Sequence, residues 1–417
     1  MRAFKAISAG ILTLAGFVAA GSWAQAGNLI TLANFNGSNG AALVSGVTLD
    51  GQGNIYGTTA GGGNGSSNYG TVFEINHATG ALTTLVNFNG SNGHSPDGNL
   101  AIDSQGNLYG TASGGGTHND GTLFEINHAT GALSTLVNFN GTNGSGPSGQ
   151  LAVDGQGNIY GASFTGGPGG GGTVYEFNHA SGTLSTLASF SGGGANGYNS
   201  LVGITRDGQG NLYGSTVSSV PNGSGTLFEI NHATGAFSVL HSFGFENFAT
   251  SGYVFDSQGN LYGVTTLGEI FELVRSTGAY VPLGSVGGEV GSFAGLVMDS
   301  QGNLFGTTTI TPTSYGSIFE YDRATGKVIG LAYFNTYNGE NPLGSLRFDG
   351  AGDLYGTTGG GGTGRSGTVF ELTPPFTAVA PPAYLNPEPS TLVMLAVAAG
   401  CVAPMVWCRG RRAARAA

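Results

Sequence analysis

One short pattern opens seven times along this chain, and repetition at that period leaves few folds available. Asp50 begins the stretch DGQGNIYG, and near-copies begin at Asp103, Asp154, Asp207, Asp256, Asp299 and Asp349. The intervals are 53, 51, 53, 49, 43 and 50 residues. A second motif keeps step with the first: VFEI from Val72, LFEI from Leu123, VYEF from Val174, LFEI from Leu227, IFEL from Ile270, IFEY from Ile318 and VFEL from Val369. A third, LTTLVNF from Leu82, is echoed from Leu133, Leu184, Phe237, Tyr280 and Val328. Residues 99–139 show what one copy contains. NLAID, NLYGTAS, GTLFEIN and ALSTLVNF are four runs of strand-forming residues bounded by Gly, Asn, Asp or Ser, and none has a helical period. Four strands in about fifty residues is the size of a propeller blade. The expected fold is all-β, a seven-bladed β-propeller of four-stranded blades.

The ends of the repeat array do not match, and the mismatch is informative. After Val369–Leu372 the seventh copy runs into TPPFTAVAPP, whose prolines cannot continue a ladder. Its fourth strand is missing. At the other end, LITLANFNGSNG (Leu29–Gly40) repeats LTTLVNFNGSNG (Leu82–Gly93) with no third strand before it. The N-terminal strand is therefore expected to complete the last blade and cover an edge otherwise open to other chains.

The flanks read as targeting segments. Arg2 and Lys5 precede an apolar run over 7–20, and small residues follow at Ala24 and Ala26. This is the layout of a secretory signal peptide over 1–26, with cleavage after Ala26. The propeller is assigned to 27–373 and a Pro-rich linker to 374–386. In 387–417, Pro387, Glu388 and Pro389 lead into an apolar transmembrane segment over 392–407, then Arg409, Arg411, Arg412 and Arg415. The three parts in this order resemble a PEP-CTERM sorting signal. That resemblance implies an exosortase-type enzyme that recognises Pro-Glu-Pro, a transient inner-membrane anchor, and a bacterium that makes exopolysaccharide. The repeats FNGSNG, GNLYGTAS and GTLFEINHATGALSTL resemble the Gloeo/Verruco-type tandem repeat of exported bacterial proteins with interchangeable C-terminal anchors. VDGQGNIYG is also similar to NHL-type propeller repeats, which supports the architecture and transfers no function.

Composition narrows the partners. All but one of the 23 acidic residues and six of the 12 basic ones lie in 27–386, which leaves that stretch near −16. Without a basic face no nucleic-acid partner is expected. Both cysteines, Cys401 and Cys408, fall in the C-terminal signal, so neither disulfides nor thiol chemistry belong to the propeller.

The repeated Asp, with Gln52 and Asn54 at alternate positions, looks like the front of a calcium loop. Such a loop wants Gly at position six and Glu at twelve. Here those positions hold Ile55 and Gly61 in the first copy, and both fail in all seven. Asp50 and its equivalents are instead expected to accept backbone N–H bonds in a hairpin turn, with the glycine before Asn54 left-handed. No metal or cofactor is expected. The histidines of NHATG, His77, His128, His179 and His232, sit one per blade in a turn, with Arg275 and Arg323 in their place in the fifth and sixth copies. The recurring Glu74, Glu125, Glu176, Glu229, Glu272, Glu320 and Glu371 suggest a local partner, such as an amide or hydroxyl of a neighbouring strand. His94, His118 and His241 read as surface loop residues.

A site would be an exception to the repeat. Arg206 and Arg347 interrupt apolar first strands, and Glu246, Glu289 and Glu340 sit in linkers. The loops carrying the Asp and NHATG turns are uniform. The loops on the opposite face vary, and a ligand is expected there near the channel mouth, with Arg206, Arg347, His118 and Asp120 as candidates. No Ser-His-Asp order, HExxH, Walker loop or Cys/His spacing occurs, so no catalytic residue is named. The favoured reading is a non-enzymatic binding or structural scaffold with a glycan or surface-protein partner. The alternative is a propeller lyase or hydrolase acting on a polysaccharide or small ligand at the channel mouth.

Overall fold

The computed structural model describes residues 28–64, 68–191, 197, 199, 203–217, 225–244, 247–250, 252–287, 294–309 and 315–379. The signal peptide with Ala24 and Ala26, the sorting signal with Pro387, Glu388 and Pro389, the segment 392–407, Glu246 and Glu289 lie outside the described residues. Among the described residues no helix is long and apolar enough to cross a membrane.

Among the described residues, twenty-eight strands form seven four-stranded antiparallel sheets. Blade one holds β2 (Thr48–Leu49), β3 (Ile55–Thr59), β4 (Thr71–Ile75) and β5 (Leu82–Asn87). The last sheet joins β1 (Asn28–Asn34) to β28 (Thr368–Thr373), and β28 to β27 (Leu354–Thr358) and β26 (Arg347–Phe348). The first described strand thus closes the ring. Leu29 faces Leu372, Ile30 faces Glu371, and the register shifts between Thr31 and Ala33. Just beyond it Phe35 N donates to Gly367 O at 3.0 Å.

The core lies between blades. One cluster takes Ala33, Phe35, Tyr355 and Val369 from blade seven and its closing segment, and Leu43, Val47, Ile55, Phe73 and Ile75 from blade one. At six of the seven joints a Phe ending the fourth strand packs on the aromatic of the next blade's third strand, as with Phe35 on Phe73 at 5.0 Å, Phe88 on Phe124 at 5.3 Å and Phe139 on Tyr175 at 5.2 Å; blade five has Val286 there. This packing explains the glycine that follows Tyr in every copy but the sixth, where it follows Phe. A Cβ on Gly57, Gly110 or Gly214 would lie within 2.5 Å of the Phe73, Phe124 or Phe228 ring.

The innermost strands are shorter than their sequence runs suggest. Most pair over two residues, as in Ala101–Ile102, and only blade three extends over Ser145–Val153. Upstream of the pair, the backbone of blades four and six bonds the preceding blade: Ile204 N donates to Gln150 O at 2.8 Å and Leu296 N to Gly252 O at 3.1 Å.

Candidate functional site

The seven Asp turns are occupied by the chain itself. Asp50 Oδ1 accepts the N–H groups of Gln52 and Asn54, each at 2.9 Å, and Oδ2 accepts Asn54 Nδ2 at 2.8 Å. Gly53 between them has φ +82°. The same bonds recur at Asp103, Asp154, Asp207, Asp256 and Asp299, while at Asp349 the two backbone bonds come from Ala351 and Asp353. Burial alone would raise these carboxyls, but at Asp50, Asp103, Asp154 and Asp256 the donated hydrogen bonds outweigh it and hold them below the usual range. Asn54 Oδ1 accepts His77 N at 3.0 Å, which ties the Asp turn to the NHATG turn on the same face. Among the described residues no three His, Cys, Asp or Glu side chains are grouped to hold a metal.

The repeated glutamates find a hydroxyl. Tyr56 OH lies 3.1 Å from Asp50 Oδ2 and 3.5 Å from Glu74 Oε1, and the same Asp–Tyr–Glu arrangement recurs through Tyr109, Tyr160, Tyr213, Tyr262 and Tyr355. A phenol carries one proton, so it satisfies one carboxylate at a time. The neighbouring blade supplies further help. Arg275 donates to Tyr213 OH and, at 3.0 Å, to Glu229, while Arg323 Nη2 lies 3.5 Å from Asp256 Oδ2 and its Cζ 5.0 Å from the Tyr262 ring centre. His179 stands edge-on to Tyr109 of the preceding blade, centroids 6.3 Å apart. In blades five and six the turn residue, Arg275 or Arg323, therefore reaches an acid of the preceding blade. Blade six itself receives no such residue, because the last blade ends without that turn. There Phe305 replaces Tyr, Phe376 packs on it at 5.4 Å, and Glu320 is pushed up by burial and then by Asp299 and Asp322.

One concave site is on the axis. A cavity of about 410 Å³ is lined by Thr48, Asn99, Gln150, Val153, Val254, Val297, Ser345 and Arg347, among others. At the end nearer the variable loops the blades meet. Gly46 N donates to Asn99 Oδ1 at 2.6 Å and Gly295 N to Ser345 Oγ at 2.8 Å. A Cβ on Gly252 would sit 3.0 Å from Gly295 Cα, 3.3 Å from Ser345 Oγ and 3.6 Å from Gln150 Oε1. Four blades converge there, so the channel is stoppered, and the space below it runs along the first strands toward the Asp-turn face. At that end the axis is filled by backbone. Glycines without side chains let the backbones close that end.

The four candidate residues do not meet. Arg347 is exposed and lines the cavity. Arg206 sits one register position closer to its Asp and is not among the residues lining the cavity; its Nε is buried without a partner and Nη2 lies beside Gly210. His118 is exposed on a variable loop next to Thr117, its Nδ1 2.9 Å from that hydroxyl. Asp120 accepts Ser145 Oγ at 2.6 Å and so fastens one blade's loop to the next. His241 is no loop residue. It lies in the fourth strand Phe237–Ser242, stacked on Tyr280 at 3.8 Å, and burial lowers its pKa.

Sequence reasoning missed Asn99, Gln150 and Ser345. Their signal is an exception, since the matching positions hold Gly46, Gly203, Gly252 and Gly295. It also missed Asp97, the acid of the linker before blade two. Asp97 keeps part of its surface in solvent, but Oδ1 is buried without a partner. Burial pushes its carboxyl up to about 7, against a hydrogen bond from Ser113. The folded state then holds a proton that the unfolded chain releases near pH 4, so stability falls as pH rises from about 4 to 7 and is level above. Asp97→Asn is expected to raise stability at pH 8 by up to about 4 kcal/mol, with the gain vanishing toward pH 4. Urea unfolding of both proteins at several pH values checks this, and a constant gap contradicts it.

Comparison with known proteins supports the repeat and the fold. The model of the Gloeobacter/Verrucomicrobia repeat matches residues 16–157, 64–269 and 205–381. No curated protein matches the sequence. Among solved structures, the chain is similar to the extracellular domain of a protein described as a hybrid two-component system of B. thetaiotaomicron, with 15% identity and a TM-score of 0.57 over 83% of this chain and 39% of that one. A second such domain from B. thetaiotaomicron gives 15% and 0.54 over 84% and 41%. A chain of the mitotic checkpoint complex gives 11% and 0.56 over 89% and 98%. This chain spans about two fifths of the length of the two extracellular proteins, and at these identities the likeness shows the fold alone. Three family matches that together run from residue 16 to residue 381 are a different matter: the chain belongs to the Gloeobacter/Verrucomicrobia repeat family.

Proposed function

We propose that this protein is an exported scaffold that binds a glycan at the cell surface or in the extracellular matrix and catalyses no reaction. The signal-peptide pattern of 1–26 supports export. Pro387-Glu388-Pro389, the apolar stretch 392–407 and the Arg tail support a transient membrane anchor processed by an exosortase-type enzyme, and with it a link to exopolysaccharide. The single observation that carries the binding reading is the division of labour among polar side chains. The repeated Asp, Asn, Tyr and Glu residues are spent on turns and blade joints, whereas the non-repeating Asn99, Gln150 and Arg347 face one axial cavity. No general base stands beside them in that lining, which favours binding over lysis or hydrolysis. A glycan array probed with the purified protein, with and without calcium, tests the reading. Binding to a subset of acidic bacterial polysaccharides, equal in both conditions and without shortening of the bound polymer, is expected. An array empty in both conditions contradicts the glycan partner, and release of fragments contradicts the absence of catalysis.

A further inference from the structure

The lining of the axial cavity carries one charged side chain, and that side chain is unpaired. The two ion pairs among the described residues belong to Arg275 and Arg323. Arg347 has neither, although the chain around it is strongly acidic and partners are plentiful. In the six other copies its register position holds Thr48, Ala101, Ala152, Thr205, Val254 and Val297, so the guanidinium is an exception placed on the axis. A solvated guanidinium inside a cavity is a ready donor pair for a carboxylate, which it binds through two parallel N–H bonds.

The rest of the lining selects among carboxylates. Val153, Val254, Leu296 and Val297 give an aliphatic wall. Asn99 and Gln150 bring two carboxamides to the floor, where each offers a donor to an acceptor such as a hydroxyl. A phosphate dianion would call for further cations, and the lining has one. Tyr253, the aromatic residue of the lining, is buried in the core between blades, so a nucleobase finds no exposed aromatic platform there. A volume of about 410 Å³ falls within the range of small-molecule sites, roughly 300–1,000 Å³. Because the far end is stoppered by Gly46, Gly252, Gly295 and Ser345, a polymer cannot thread through.

We infer that the axial cavity holds a pyranose bearing a carboxylate, a hexuronic acid, either free or as the terminal unit of a glycan chain. This rests on the glycan-binding reading above and deepens it. The carboxylate lies on Arg347, ring hydroxyls reach Asn99 and Gln150, and the C–H face of the ring lies against Val254 and Val297. The blind cavity limits recognition to a chain end, so internal uronate units are not read.

Calorimetry with the purified protein tests this with D-glucuronate, D-glucose and an oligosaccharide ending in glucuronate. Glucuronate is expected to bind at least tenfold more tightly than glucose, and the oligosaccharide to bind through its terminal unit. Arg347→Gln removes that preference while leaving the melting temperature unchanged, since Arg347 is exposed and bonded to nothing the fold needs. Gln150→Leu, which keeps Arg347, weakens glucuronate and glucose together. Equal affinity for glucuronate and glucose, an unaltered preference in Arg347→Gln, or no binding of any of the three overturns the inference. Should the array show polymers bound with Arg347→Gln unaffected, the scaffold reading stands and only the axial uronate falls.

Discussion

A chain lacking Asn28 to Asn36 is expected to lose the whole propeller rather than one frayed edge. The segment supplies the outer strand of the last blade, and Phe35 beyond it is fully buried against Phe73 of blade one. Truncating one buried Phe to Ala costs about 3–5 kcal/mol, and here Ala33 and a full ladder are lost with it. Val369 and Phe370, now inaccessible, would be left beneath an unpaired edge. Against a total stability of about 5–15 kcal/mol this is most of what the domain has. The expected outcome is insoluble protein or a melting temperature lower by at least about 10 °C, in a single transition. The same melting temperature after truncation would mean that the ring closes some other way.

The second large effect comes from a single methyl group. Gly203→Ala places a Cβ 1.8 Å from Gln150 N and 2.3 Å from Gln150 O. The obstacles are backbone atoms of the neighbouring blade, so no rotamer change relieves them. Strain passes into the stopper and the bond from Ile204 N to Gln150 O. Overpacking of this kind costs about 3 kcal/mol or more when the backbone must move. Gly208→Ala, in the Asp turn of the same blade, meets nothing within 4 Å and serves as control. It is expected to change stability by less than about 1 kcal/mol, in the stabilising direction, by restricting the unfolded chain. Urea unfolding of the two variants separates them, and equal midpoints would contradict the close approach of blades three and four.

Much of this architecture is written in the repeat. The number of blades follows from the number of Asp turns, and the offset between Leu29–Gly40 and Leu82–Gly93 predicts how the ring closes. The position of His241 was legible too, since FSVLHSF aligns it with Val86, a buried strand residue. What a single copy does not reveal is contact between copies. Arg275 and Arg323 look like loop substitutions for histidine until the preceding blade's Tyr213 and Asp256 are seen beside them. Phe305 looks like a neutral exchange for Tyr until Phe376 appears over it where the next turn is absent. The site was hidden for a related reason. Glycine at 46, 252 and 295 reads as flexibility in one repeat, but around the axis it permits backbones to close one end of the channel. Below that closure lies the interior cavity, where Arg347 stands with Asn99 and Gln150.

Ring closure by the first strand is the claim on which the cavity and its stopper depend, and a disulfide tests it directly. Ile30 and Glu371 face each other across the joint, and the propeller has no native cysteine to confuse the result. In the variant carrying Ile30→Cys and Glu371→Cys, with Cys401 and Cys408 changed to Ser, oxidation is expected to give a monomer with an intramolecular bond and faster migration on a non-reducing gel. Closing so long a loop should also raise stability, by up to about 4 kcal/mol. Thiols that stay free, or that pair only between chains, would contradict the closed ring.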